Sequence, residues 1–329
     1  MALDSVPESV EVRRTLDKVR AEIGKAFVGQ TDLVDQMIIA LMCGGHVLLE
    51  GVPGLGKTLL VRTIGQVLEL SFSRIQFTPD LMPADIIGTN VLLSTPDGER
   101  SFQFQKGPVF THLLLADEIN RATPKTQSAL LEAMQEMRVT ISGNTYPLPQ
   151  PFFVLATQNP IEMEGTYPLP EAQVDRFMFK LYVHSPNLED LRTIINRTTG
   201  DTVPEAGPVL SANRLLELQM LVREVPLAAH VRDAALEMVL ATHPDTSQAT
   251  PLVRQYVRLG ASPRGAQSIV LAAKARALMH GRFNVSMEDI REVAPAALRH
   301  RVLLNFAAEA DEIRVENILA EVMASAAAE

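Results

Sequence analysis

A chain of 329 residues, 47% hydrophobic and 21% charged, is long enough for two domains with cores of their own and excludes a disordered polymer. Its 30 Lys and Arg against 39 Asp and Glu give a net charge of −9, so no global field favours nucleic acid or anionic lipid. The longest uncharged apolar stretch, Gln36 to Leu49, is too short and too glycine-rich to span a bilayer, and the polar N-terminus lacks a hydrophobic signal region. These features predict a cytoplasmic protein without membrane insertion.

In chain order, residues 11–27 read as an amphipathic helix closed by VGQ at 28–30, and residues 31–43 as a second helix. Cys43, the single cysteine, lies in this apolar run and is expected to be an inert core residue. HVLLE (46–50) is a short β-rich run, GVPGLGKT (51–58) a glycine-rich loop, and TLLVRTIGQVLEL (58–70) an amphipathic helix. FSRIQFT (72–78) is a strand. Residues 79–110 are irregular, with an Asp97–Gly98 turn between apolar or aromatic pieces that suggests a β-hairpin. A buried strand at 112–116 and a helix at about 123–137 follow. Residues 138–149 read as another hairpin turning at Ser142–Gly143–Asn144, then come strands at 152–159 and 177–183. Apolar strands alternating with helices predict a parallel sheet covered on both faces. After about residue 184 the strand signal stops; a mixed, turn-rich segment leads into helices alone, at about 211–224, 227–241, 263–281, 287–299 and 313–327. Ser262 and Ser286 sit as N-caps of two of them. The domain division expected is an α/β core over 1–190 and a helical lid over 191–329.

The glycine-rich loop is a phosphate cradle. Gly51, Gly54 and Gly56 let the backbone turn tightly and aim N–H groups at phosphates. Lys57 adds a point charge, Thr58 a hydroxyl for Mg²⁺, and the following helix its positive end. Gly51, Val52, Pro53, Gly54, Leu55, Gly56, Lys57, Thr58 and Leu59 are therefore expected to enclose the nucleotide phosphates. The strand THLLLADEIN (111–120) ends in adjacent carboxylates that alternation sends to different sides. Asp117, with Thr58, is the expected Mg²⁺ holder, and Glu118 the residue that polarises the attacking water.

Three further positions bear on hydrolysis. Asn159 ends the apolar strand of ATQNP, where it would orient water or simply make an Asn–Pro turn. Arg176, in EAQVDRF, would either pair with Asp175 or Glu171 or act as an arginine finger on a neighbouring subunit's γ-phosphate. Arg264 stands in the first turn of a C-terminal helix, where its charge opposes the helix dipole; it is either a surface arginine or a contact to the γ-phosphate that would couple its helix to the nucleotide. Arg121 and Lys125 are lesser candidates for the intersubunit site.

GVPGLGKT, LLLADEIN, ATQNP, LPEAQVDRF and GASPRG, in this order and spacing, resemble an AAA+ ATPase of the MoxR type, over nearly the whole chain from VGQ. The resemblance implies a P-loop NTPase fold: a parallel five-stranded sheet in order 5-1-4-3-2 between helices, with β-hairpin inserts and an all-α lid. It implies Walker A at 51–58, Walker B at Asp117 and Glu118, sensor 1 at Asn159, the finger at Arg176 and sensor 2 at Arg264. It also implies nucleotide contacts at Val28 and Gly29, ATP and Mg²⁺ as cofactors, and a homo-oligomeric, usually hexameric, ring. Members act as chaperone-like remodellers of protein clients, often with a von Willebrand factor A domain. Two other readings share these residues: a nucleotide-gated binding module with slow hydrolysis, and a nucleic-acid motor, which the acidic net charge disfavours.

Overall fold

The computed structural model describes residues 5–94, 100–159, 165–200 and 204–326. Helices α1 (Ser5–Ala26) and α2 (Thr31–Met42) precede β1 (Val47–Glu50), α3 (Lys57–Val67) and β2 (Phe72–Gln76). Helix α4 (Pro83–Ile87), which the sequence reading left within an irregular region, leads into β3 (Gly88–Ser94) and β4 (Arg100–Lys106). Then come β5 (Leu113–Asp117), a 3-10 turn (Ile119–Arg121), α5 (Pro124–Glu136), β6 (Arg138–Ile141), β7 (Asn144–Pro147) and β8 (Phe153–Gln158). A short α6 (Glu171–Val174), β9 (Phe179–Tyr182) and α7 (Leu188–Thr198) complete the first part.

The five principal strands form one parallel sheet in the order β2-β5-β8-β1-β9. Counted along the chain, this is the expected 5-1-4-3-2. Alternation divides the apolar side chains between two cores. Val47, Leu49, Leu113, Leu115, Phe153, Leu155, Phe179 and Leu181 join the core shared with α1, α2, α3 and the C-terminal helices. Leu48, Ile75, Leu114, Ala116, Val154 and Ala156 face the other way, onto Leu130, Leu131 and Met134 of α5. Burial on both faces explains why these strands read as continuous apolar runs.

Both inserted hairpins form. Strands β3 and β4 pair antiparallel from Gly88↔Lys106 to Ser94↔Arg100, while the expected Asp97–Gly98 turn lies outside the described residues. Strands β6 and β7 turn at Ser142 and Gly143, which have φ of 51° and 82°. The hairpins touch each other: Phe104 stacks on Tyr146 with centroids 4.2 Å apart.

The C-terminal part contains α8 (Ala212–Glu224), α9 (Ala229–Ala241), α10 (Pro251–Tyr256), α11 (Pro263–Met279), α12 (Met287–Leu298), α13 (Phe306–Ala310) and α14 (Val315–Ser325). Helices α10 and α13 lie between the helices expected from sequence, and two further features depart from expectation. The turn-rich segment after 184 contains α7, started by Asn187, whose side chain accepts from Asp190 N at 2.9 Å. The all-helical expectation also misses a small antiparallel pair, β10 (Val257–Leu259) with β11 (Leu303–Leu304), too short for alternation to be legible. It is flanked by Asn305 N to Tyr256 O at 2.9 Å. The predicted caps are present: Ser262 and Ser286 accept from Arg264 N and Asp289 N. Between the two parts, His300 Nε2 lies 2.9 Å from Phe177 O, and Val209 N donates to Val67 O at 2.8 Å. Among the described residues, no helix is long and apolar enough to cross a membrane.

Candidate nucleotide site

The loop between β1 and α3 is shaped by glycine where glycine is needed. Gly54 and Gly56 have φ of 85° and 79°, a region that costs residues with a Cβ. Gly51 is constrained differently: an added Cβ would lie 2.9 Å from both Val183 Cβ and Val183 O on the chain leaving β9. Gly56 caps α3, so the free N–H groups of its first turn face the loop. The loop borders a cavity of about 250 Å³ lined by Pro53, Gly54, Gly56, Lys57, Thr58, Arg74, Gln76, Asp117, Glu118 and Asn159. A nest of backbone N–H groups, an ammonium, a hydroxyl and two carboxylates fits a magnesium–triphosphate. Thr58 and Asp117 would supply protein oxygens to the metal, the phosphates completing its shell. Among the described residues, no group of three or more His, Cys, Asp or Glu could hold a metal by itself.

Lys57 Nζ donates to Gly51 O at 2.6 Å, so its ammonium is tied to the loop it serves. Burial lowers its pKa, opposed by the charges of Asp117 and Glu118. Asp117 is the last residue of β5, and Glu118 has left the strand with a φ of 55°, a left-handed conformation that costs about 1 kcal/mol or more for a residue with a side chain. This turn, added to strand alternation, aims the neighbouring carboxylates differently. The Thr157 hydroxyl, fully buried on β8, ties the pair together: it donates to Asp117 Oδ1 at 2.6 Å and accepts from Glu118 N at 2.8 Å.

Sequence reasoning missed three residues here: Thr157, Arg74 and Gln76. Arg74 Nη2 lies 2.6 Å from Asp117 Oδ2. Gln76 Nε2 donates to Glu118 Oε2 at 2.7 Å, which Arg121 Nη1 also reaches at 3.0 Å. A signal for the β2 pair was available. Arg74 and Gln76 are two apart in a strand that pairs Gln76 with Asp117, so alternation puts both on one face beside Walker B.

The structure therefore gathers Lys57, Thr58, Asp117, Glu118 and Asn159 around one cavity. Val28, Gly29, Gly51, Val52, Leu55 and Leu59 do not line it. Phe27 comes close, 3.5 Å from where a Cβ on Gly56 would lie, and Gly29 packs so tightly on Asp190 that a Cβ would sit 2.6 Å from its carboxylate. Asn159 is buried at 6% exposure directly after β8. Arg176 and Arg264 are elsewhere. Arg176 forms neither ion pair considered from sequence. Its Nη1 donates to Leu131 O at 2.8 Å, its Nε is buried with no partner among the described residues, and it lines a separate groove with Ser128, Glu132, Arg138 and Gln173. Arg264 Nη1 donates to Asp175 Oδ2 at 3.3 Å.

His46 and Cys43 play structural parts. His46 is buried between Met134 O and Val154 N, and burial lowers its pKa to about 4, so it is neutral. Burial pushes the Cys43 thiol well above its usual range.

Comparison with known proteins agrees with this architecture. The profile of the ATPase family associated with various cellular activities matches residues 46–179, and the AAA lid domain matches 250–322. Fold and site thus define an AAA+ ATPase domain with its lid. The chain is 48% identical over 313 residues to Chaperone MoxR1 of Mycobacterium tuberculosis, covering 95% of this chain and 82% of that protein. It is 32% identical over 302 residues to Protein MoxR of Methylorubrum extorquens, covering 86% of each. A solved structure from Cytophaga hutchinsonii, described as a candidate ATPase, superposes with a TM-score of 0.91 at 43% identity, covering 99% of this chain and 98% of that one. The chain belongs to the MoxR family of AAA+ ATPases.

Proposed function

We propose that the protein hydrolyses ATP with Mg²⁺ in a homo-oligomeric, six-membered ring that remodels or activates a protein client. The observation that carries this reading is the division of the candidate groups. Lys57, Thr58, Asp117, Glu118 and Asn159 line one cavity, whereas Arg176 lines another groove. A finger that cannot serve its own site has a role only if a neighbour's site is brought to it. The resemblance to a protein named a chaperone supports the client role, and the resemblance to MoxR-type ATPases makes a von Willebrand factor A domain protein the client class proposed.

In this reading the backbone of residues 51–58 and the Lys57 ammonium bind the triphosphate, with Val28, Gly29 and Leu59 completing the nucleotide pocket. Thr58 and Asp117 hold Mg²⁺, which when bound neutralises phosphate charge. Glu118 accepts the proton of the attacking water, and Asn159 orients that water. Arg176 of one subunit stabilises transition-state charge at its neighbour, and Arg264 draws the lid onto the γ-phosphate. The α/β core would span 1–190 and the lid 191–329, in a cytoplasmic protein that does not act on nucleic acid.

A second reading, the ATP-gated binding module with slow turnover, is favoured by one observation. Asp117 and Glu118 are each already engaged by an arginine, Arg74 and Arg121, at 2.6 and 3.0 Å. Hydrolysis would then wait on their release. Steady-state ATPase rates, with and without client, separate the two. The reading as a whole is tested by Glu118→Gln: ATP should still bind while turnover is lost, and near-normal turnover would refute the general-base role.

A further inference from the structure

Among the contacts that join the lid to the core, which include Arg258 with Glu171, one core carboxylate gathers three lid side chains. Asp175 closes α6, one residue before Arg176, and collects three lid side chains. Ser262 Oγ donates to its Oδ1 at 2.7 Å, Arg301 Nε to the same oxygen at 2.8 Å, and Arg264 Nη1 to Oδ2 at 3.3 Å. The three are not equivalent. The Arg301 side chain is 2% exposed and also donates to Asp175 O at 3.0 Å, Phe177 O at 2.7 Å and Met178 O at 3.1 Å, with Ala297 O as a further acceptor. Its guanidinium is fixed by backbone carbonyls and cannot leave without stranding a buried charge. Ser262 is bound in place as the cap of α11. Arg264 is held by one long bond and is 48% exposed, so it can swing away at little cost.

We infer that Asp175 is a positioning residue which competes with the triphosphate for Arg264, while Arg301 and Ser262 keep the carboxylate satisfied whichever partner Arg264 takes. The inference rests on the proposed role of Arg264 at the γ-phosphate. Its physical content is a competition. Binding of a γ-phosphate through Arg264 must first break the Asp175 contact, so the apparent affinity for triphosphate is lowered by the fraction of Arg264 held there. Diphosphate, lacking the group Arg264 would reach, is exempt. Asp175 thus sets how sharply the protein distinguishes ATP from ADP, and how readily the lid is released once the γ-phosphate is gone. The permanent Arg301–Asp175 pair keeps the lid hinged to the core throughout.

The test is calorimetric titration with ADP and with adenylyl imidodiphosphate, a non-hydrolysable ATP analogue. Asp175→Asn should tighten the analogue about 3- to 10-fold and leave ADP within about twofold. In an Arg264→Ala background the same change should do nothing to either nucleotide. Equal shifts for both nucleotides, no shift for the analogue, or a shift that persists without Arg264 would each overturn the inference. Should Asp175→Asn unfold because Arg301 loses its counter-charge, the pair Asp175→Asn with Arg301→Gln removes both charges and carries the same expectation. Arg264→Ala alone separates the two levels of the argument. If it leaves analogue affinity unchanged, the γ-phosphate role of Arg264 fails and the inference with it. If it weakens the analogue but Asp175→Asn has no effect, only the competition fails.

Discussion

Gln76 donates its side-chain amide to the Glu118 carboxylate at 2.7 Å, from the strand that runs beside Walker B. A general base must be aimed as well as present, and Glu118 sits on a left-handed backbone that fixes only its root. Gln76→Ala should lower ATP turnover by about tenfold and leave nucleotide affinity within about twofold, as loss of a hydrogen bond to a charged group predicts. Steady-state rates alongside a binding titration check this; unchanged turnover would mean that Gln76 does not position the base.

Thr157 makes a second claim on the same pair. Its hydroxyl bridges Asp117 and the backbone of Glu118 in a fully buried position. Thr157→Val keeps the shape and strands both partners, costing about 1–3 kcal/mol of stability. Half-maximal Mg²⁺ for turnover should rise, because Asp117 loses the bond that orients it. Thr157→Ser should retain both properties, and equal defects in the two variants would indicate a packing role only.

Much of this architecture could be read directly. The glycine spacing before an amphipathic helix, the apolar strands and the paired carboxylates each carry local chemistry, so β1, the loop, α3 and Walker B needed no tertiary information. The order of the sheet came through the family resemblance. What stayed hidden depends on partners distant in sequence. Arg74 and Thr157 look like ordinary strand residues until the register sets Gln76 against Asp117 and brings β8 alongside β5. Helix α7 was legible in principle, from its Asn187 cap and the helical spacing of Leu188, Leu191 and Ile195, but its short run merges with the turn-rich residues that follow. The β10–β11 pair joins two- and three-residue pieces more than 40 residues apart, beneath the reach of any periodicity. Arg176 and Arg264 were found by position in motifs, and their partners, Leu131 O and Asp175, could not be.

The lid carries its own pH signature. Asp289 is fully buried and accepts from Arg276 Nη1 at 2.6 Å and from Arg282 Nη1 and Nη2 at 2.7 and 2.6 Å. Burial pushes its carboxyl upward, and the bonds from Arg282, Ser286 and Arg276 overcome this to hold it at about 2 instead of 3.8. A pKa depressed by folding contributes stability that is complete above the unfolded value and lost as pH falls through the folded one. The melting-temperature difference between wild type and Asp289→Asn should therefore be constant above about pH 4 and shrink toward about pH 2. A difference independent of pH over that window would mean that the carboxylate's charge contributes nothing.

The most direct test of a site shared between subunits is complementation. Glu118→Gln retains a normal Arg176, and Arg176→Ala retains a normal Glu118. Each alone should form assemblies with turnover lowered by about a thousandfold or more, as loss of a finger or a base predicts. Co-expressed and purified as mixed assemblies, they create some interfaces where an intact Glu118 faces an intact Arg176, and ATP turnover should return in part. Mixed assemblies shown to contain both subunits, yet no more active than either parent, would contradict the account.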